Sequence, residues 1–197
     1  QMCIRDRAIS HYLSSRYKVH YDKEEIVVTV GASEAIDITL RAVCDPGDEV
    51  LIPMPSYVSY APCVSMAGGV PVGVECNESN GFILTKEMLQ SAVTPKSKAI
   101  ILPYPNNPTG AIMTRRQLED IRQVIEENDL LVISDEIYSE LTYDGKHVSI
   151  ASLDGMRDRT VLLNGFSKAF AMTGWRIGYA CAPRDILDQI LKVHQYT

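Results

Sequence analysis

Six short runs in this chain are mostly apolar: Ile26 to Val30, Glu49 to Ile52, Val70 to Glu75, Ala99 to Leu102, Leu130 to Ile133 and Thr160 to Leu163. A strand wetted on one face alternates apolar with polar residues, whereas a run without alternation is covered on both faces. Between the runs lie segments of helical spacing. Ala8 to Tyr17 carries Ile9, Tyr12, Leu13 and Tyr17, and Gly31 to Val43 carries Ile36, Leu40 and Val43. Further helices are expected from Val58 to about Met66, from Thr85, from a Thr114 cap to about Glu127, and over Ile186 to Thr197. Strands alternating with amphipathic helices imply a three-layer α/β/α fold with a mainly parallel sheet.

At 197 residues the chain suits one well-buried domain, and no repeat or low-complexity linker divides it. A formal net charge of −6 argues against a nucleic-acid partner, since binders of phosphate backbone carry a basic face. The longest apolar runs are of strand length, so no membrane partner is expected and a cytoplasmic location is the default. Cys3, Cys44, Cys63, Cys76 and Cys181 are odd in number and lack a Cys-x-x-Cys pair, which suits reduced core residues. The four histidines show no ligand spacing, and no metal is expected. Residues 1–7 resemble translated adapter sequence and are expected to be non-native. Ile186 to Thr197 stops in mid-pattern, so the domain expected over 8–197 reads as part of a longer chain.

In open α/β sheets ligands bind beyond the carboxyl ends of the strands. Four such ends here carry polar punctuation. Gly31-Ala32-Ser33 follows the first run and could aim backbone N–H groups and a hydroxyl at an anion, although a glycine turn with a serine cap accounts for it as well. Asn107, before Pro108-Thr109-Gly110, follows another and could donate to an oxyanion or merely start a turn. Asp135 follows a third, where a carboxylate must be paired or hydrogen-bonded and could equally cap a helix or turn, and Tyr138 lies three residues on. Asp135 and Glu136 are neighbours and should point differently, so they do not suggest an acid/base pair. Tyr57, in a proline-bracketed loop, could lie on an aromatic ligand or simply pack.

The fourth end delivers Asn164-Gly165-Phe166-Ser167-Lys168 and, eight residues after the lysine, Arg176. A lysine amine is a nucleophile once deprotonated, which an apolar wall or a nearby cation favours. Arg176 is such a cation, and its rigid fork of donors suits a phosphate. Taken alone, this segment is equally compatible with a solvated loop lysine and a surface arginine. Taken together, the four ends ask for a phosphate, a planar ring with a phenolic oxygen and a basic nitrogen, and an aldehyde near a lysine. Pyridoxal 5′-phosphate has all of these.

From about Ala8 to Thr197 the chain resembles the fold-type I, class I/II aminotransferases, including the aspartate, aromatic and acetyl-diaminopimelate types. The resemblance rests on Val30-Gly31-Ala32-Ser33-Glu34-Ala35, Asn107-Pro108-Thr109-Gly110, Ser134-Asp135-Glu136-Ile137-Tyr138 and Gly165-Phe166-Ser167-Lys168 through Arg176. It implies that Lys168 holds pyridoxal 5′-phosphate as a Schiff base and moves the substrate proton. It implies that Asp135 pairs with the ring nitrogen and that Asn107 and Tyr138 bond the phenolic oxygen. Ala32, Ser33 and Arg176 would bind the phosphate, and Tyr57 would stack on the ring. Several relatives have a serine where this chain has Gly165, and Ser167 is a candidate substitute. The implied reaction moves an amino group from an L-amino acid to a 2-oxo acid in a homodimer. The small domain, the arginine that grips the substrate carboxylate and an aromatic phosphate contact would lie outside this stretch. A carbon–sulfur β-lyase with the same cofactor and an aminotransferase-like effector domain of a transcription regulator are the alternatives.

Overall fold

A computed structural model describes residues 2–197, with side chains from residue 4 onward. Helix α1 (Met2–Tyr17) leads into β1 (Ile26–Val30), α2 (Gly31–Val43), β2 (Glu49–Met54) and α3 (Tyr60–Met66). Strand β3 (Val70–Glu75), α4 (Lys86–Ala92), β4 (Ser97–Leu102), α5 (Arg115–Glu127) and β5 (Leu131–Asp135) follow. Strands β6 (Thr160–Gly165) and β7 (Ile177–Cys181) precede the last helix, α6 (Arg184–His194). The expected elements are present with shifted ends: α3 starts at Tyr60 rather than Val58, and β5 runs on to Asp135. Residues 4–7, expected to be foreign to the domain, continue α1. Strand β7 is additional, a short run with a glycine at its second position.

One sheet holds all seven strands in the order β1-β7-β6-β5-β4-β2-β3. Strands β3, β2, β4, β5 and β6 are parallel. Strand β7 is antiparallel to both β6 and β1, so β1 runs in the same direction as β6. The carboxyl ends of β1, β4, β5 and β6 therefore open on one edge, as the alternating pattern predicts.

The unbroken apolar runs follow from burial on both faces. Ile101, Ile133 and Leu163 pack with α2, α3 and α6 through residues such as Ile36, Leu40, Val64 and Leu187. Their neighbours Ile100 and Val132 pack on the opposite face with Ile121 and Ile125 of α5 and Leu89 of α4. Leu162 and Tyr179 meet Ile9, Leu13 and Tyr17 of α1 on that second face. Because successive strand residues point to opposite faces, each pair feeds both layers. Helix α5 starts at a capping box of Thr114 and Gln117 and buries Leu118, Ile121, Val124 and Ile125, an i, i+3, i+4 stripe. Cys44, Cys76 and Cys181 are buried free thiols and Cys63 is a half-buried one, while the Cys3 side chain lies outside the described residues. No described helix is long and apolar enough to cross a membrane.

The approach of α2 to the sheet is set by Gly178 in β7. A Cβ there would lie 2.4 Å from both Gly31 C and Ala32 N, closer than atoms can pack. Gly178→Ala must push the start of α2 off β7, and overpacking of this kind costs about 1–3 kcal/mol. Urea denaturation is expected to register that loss. Gly174→Ala, where a Cβ meets nothing within 4 Å, should leave stability within about 0.5 kcal/mol.

Candidate active site

The common edge of β1, β4, β5 and β6 holds a cleft of about 310 Å³. Its wall includes Lys168, Asp135, Asn107, Tyr138 and Arg176, and also Ala32, Ser33, Tyr57 and Ser167, so every site residue expected from sequence reaches one cavity. Ile36, Tyr60, Ile137 and Thr173 complete the lining and were not anticipated.

Asp135 ends β5 with 4% of its surface exposed. Its Oδ2 accepts a 2.7 Å hydrogen bond from the Tyr60 hydroxyl and its Oδ1 a 3.2 Å bond from the Ile137 N–H. Burial pushes the Asp135 carboxyl above the usual range, while these two donors pull the other way and the Glu136 charge adds to the rise. Tyr60, itself buried beside that carboxylate, is pushed well above the usual phenol range and stays a donor. The Tyr57 ring stands edge-on to Tyr60 with centroids 5.6 Å apart, forming one side of the cleft. The three-residue step from Tyr57 to Tyr60 at the start of α3 is the sequence signal that could have revealed Tyr60.

Glu136 turns away from the cleft, as adjacent strand residues must. Fully buried, it accepts from Ser134 Oγ at 3.0 Å and Ser149 Oγ at 2.6 Å, and meets His147 Nε2 at 2.7 Å. The two acids thus serve different places.

Tyr138 and Asn107 meet on the wall of the same cleft, with Asn107 Nδ2 donating to the Tyr138 hydroxyl at 3.5 Å. The turn role weighed for Asn107 falls to Asn106, whose Oδ1 accepts from the Thr109 N–H at 3.2 Å and the Thr109 hydroxyl at 3.0 Å. Asn107 is left facing the cleft. The Lys168 amine lies 5.5 Å from the Tyr138 ring centroid and is exposed to the cavity.

The anion cup forms where α2 begins. Val30 occupies the cap position with no side chain capping the helix, and Ser33 lies inside the first turn, so the serine-cap reading does not hold. Glu34 reaches back to the Val30 N–H and also meets His194 Nδ1 at 2.8 Å. Gly31 makes room for Arg176: a Cβ at Gly31 would lie 2.5 Å from Arg176 Nη2. Arg176 has no acidic partner among the described residues, and its one recorded donation is to Thr173 O at 3.2 Å. A guanidinium fork beside free helix N–H groups is built for an oxyanion. At Gly165 a side chain would meet Ile177 O at 3.0 Å and Gly178 Cα at 3.1 Å, so a serine hydroxyl has little room there. Ser167 lines the cleft instead.

With its pKa raised, Asp135 keeps a proton in the folded state that the unfolded chain has released above the ordinary carboxylate range of about 3.9. The stability it contributes is present below that range and is lost as pH rises through the folded value. Asp135→Asn is therefore expected to melt at or above wild type at neutral pH in the ligand-free protein. That advantage should shrink toward pH 4, as read by thermal denaturation across pH.

The family model for aminotransferase class I and II matches residues 5–196. A Bacillus subtilis (strain 168) protein named as an aminotransferase, YugH, is 50% identical over 189 residues, covering 95% of this chain and 49% of its own length. The aspartate aminotransferase of Pyrococcus abyssi (strain GE5 / Orsay) is 48% identical over 191 residues, covering 96% of this chain and 49% of its own. The crystal structure of the aromatic aminotransferase from Pyrococcus horikoshii OT3 superposes with a TM-score of 0.95 at 46% identity, covering 98% of this chain and 52% of that one. The chain spans about half the length of the curated relatives it matches. On its sequence and fold together, the chain belongs to the class I and II aminotransferases.

Proposed function

We propose that the full-length protein is an aminotransferase that uses pyridoxal 5′-phosphate to move an amino group from an L-amino acid to a 2-oxo acid. The observation that carries this reading is the convergence of four kinds of group on one cleft: an amine, a buried carboxyl, a phenol–amide pair and an anion cup. The cup supports the phosphate end, because Arg176 is unpaired among the described residues and Gly31 leaves its guanidinium room beside α2. When bound, the cofactor supplies an aldehyde and a ring that takes up the electron pair left when the substrate α-proton departs.

The chain's own residues then divide the work. Lys168 would hold the cofactor through its ε-amine, and the same amine is the group placed to move the proton of the substrate α-carbon. Asp135 keeps the ring nitrogen protonated by offering a carboxylate whose charge is best satisfied by a cation, since burial disfavours that charge when it stands alone. Tyr60 and the Ile137 N–H aim it. Tyr138 and Asn107 donate to the ring oxygen. Arg176, Ala32, Ser33 and Ser167 would bind the phosphate, and the Tyr57 ring would pack against the cofactor ring. A homodimer fits the exposed apolar side chains of Val30, Val58 and Trp175, each within two residues of a cleft residue. Free thiols at four described cysteines support a cytoplasmic setting.

In the full-length protein, pyridoxal 5′-phosphate should give a visible absorbance band that Lys168→Ala abolishes. An L-amino acid alone should convert that band to the pyridoxamine form, with the matching 2-oxo acid released in equal amount. Release of ammonia and pyruvate would instead establish a β-lyase, and absence of any band would refute a cofactor role for the cleft. Arg176→Ala removes charge-assisted phosphate bonds worth about 1.5–3 kcal/mol, so cofactor affinity should fall about tenfold or more in a fluorescence titration.

A further inference from the structure

Lys168 and Tyr138 sit on different segments, and few bonds fix one against the other. The β5–β6 ladder ends at Asp135 opposite Leu163, and the last backbone hydrogen bond between the two segments runs from the Glu136 N–H to Leu163 O, 2.9 Å. Beyond it the link passes to side chains. Asn164 Nδ2 lies 3.2 Å from Ser139 Oγ, Ser139 Oγ lies 2.9 Å from the Tyr17 hydroxyl, and that hydroxyl lies 2.7 Å from Glu140 Oε1. Asn164 stands four residues before Lys168, and Ser139 directly follows Tyr138. Asn164, Ser139 and Tyr17 are 3%, 4% and 8% exposed, so water competes little for these bonds.

Counting protons gives the line a direction. An amide nitrogen only donates and a carboxylate only accepts. The Asn164 amide cannot turn over, because its Oδ1 accepts the Gly165 N–H at 2.7 Å. Glu140 is fixed at the other end by Arg16, whose Nε donates to Oε1 at 2.9 Å and Nη2 to Oε2 at 2.7 Å. Those bonds hold the Glu140 carboxyl down at about 2, and burial pushes the Tyr17 phenol up to about 12, so each keeps its role across the working range. Tyr17 has one proton, and the carboxylate takes it. Ser139 must then donate to Tyr17 and accept from Asn164. Tyr12 donates to the same Glu140 oxygen at 2.6 Å, and its hydroxyl also lies 3.1 Å from that of Tyr17, bracing the line at its Glu140 end. His147 stands edge-on to the Tyr17 ring at 5.3 Å, and its Nε2 is engaged by Glu136.

We propose that Tyr17 is a positioning residue for the cofactor cleft: through Ser139 and Asn164 it sets where Tyr138 stands relative to Lys168, and so sets the acidity of the Lys168 linkage to the cofactor. This rests on the aminotransferase reading above. Tyr138 draws charge from the ring oxygen only if its hydroxyl is held in place, so loosening the line raises the pH at which the linkage loses its proton.

The test is a pH titration of visible absorbance in the full-length enzyme loaded with pyridoxal 5′-phosphate. Tyr17→Phe and Ser139→Ala are each expected to raise the midpoint by about 0.5 unit or more, a threefold change in the proton equilibrium. Tyr21→Phe removes a buried hydroxyl bond to Thr160 O, 3.3 Å, in the same apolar cluster as Tyr17 but leaves the line whole, so it should titrate as wild type. Melting temperatures of all three record the structural cost separately. Wild-type midpoints in both Tyr17→Phe and Ser139→Ala, whatever their melting temperatures, would overturn the inference and leave a simple brace, and an equal shift in Tyr21→Phe would overturn it as general softening. Ser139→Ala decides the matter if Tyr17→Phe fails to fold. A wild-type protein with no visible band, or a band that survives Lys168→Ala, would fail the cofactor reading itself and this inference with it.

Discussion

The cleft depends on a backbone contact that only glycine permits. Gly178 in β7 lets the first turn of α2 lie against the strand, at a spot where a methyl group would stand 2.4 Å from two backbone atoms. Gly31 makes the matching allowance on the other side, giving the Arg176 guanidinium the space its own side chain would fill. Two missing side chains thus bring a helix terminus and an arginine together at the edge where β5 and β6 end. A side chain at Gly178 would push the helix start off the strand, and one at Gly31 would displace the Arg176 guanidinium, although every polar residue of the site would still be present.

The strand period then sorts the polar groups. Asp135 and Glu136 are neighbours at the end of a buried strand, and alternation sends one to the cleft and the other behind it. Glu136 is satisfied within the protein by two hydroxyls and an imidazole. Asp135 has a single phenol and one long backbone bond, and burial raises its affinity for a proton. The difference in solvation marks which acid is structural and which awaits a charged ligand, a distinction that residue type alone does not make.

Much of this was legible in the sequence, for a physical reason. A sheet covered on both faces must be written in unbroken apolar runs, and polar residues just beyond such runs have few places to go except the shared edge. That logic is enough to bring Lys168, Asp135, Asn107, Tyr138, Arg176 and the Gly31-Ala32-Ser33 turn to one edge from the sequence alone. What escaped it was non-local or weakly patterned. Tyr60 and Asp135 are 75 positions apart, and the step from Tyr57 to Tyr60 points to the cleft but not to Asp135 as the partner. Strand β7 is only five residues, one of them the glycine that α2 requires, and it reads as the tail of the lysine segment. The hydroxyl line through Tyr17 crosses 122 positions to Ser139 and uses residues whose usual role is packing or surface polarity. The serine-cap reading of Ser33 failed because the helix starts two residues earlier, at Gly31, which adopts a positive φ of 74°.

A helix start without a side-chain cap, an arginine without an acidic partner among the described residues and a half-satisfied buried acid all lie on one small cavity, and each is a place where the folded chain is less stable than it could be. Whatever fills the cavity therefore binds the folded chain and not the unfolded one, and shifts the balance between them by mass action. The amount of this protein that survives quality control in a cell would then track the supply of a small molecule. Scarcity of that molecule would show first as fewer protein copies, and only afterwards as slower turnover by the copies that remain.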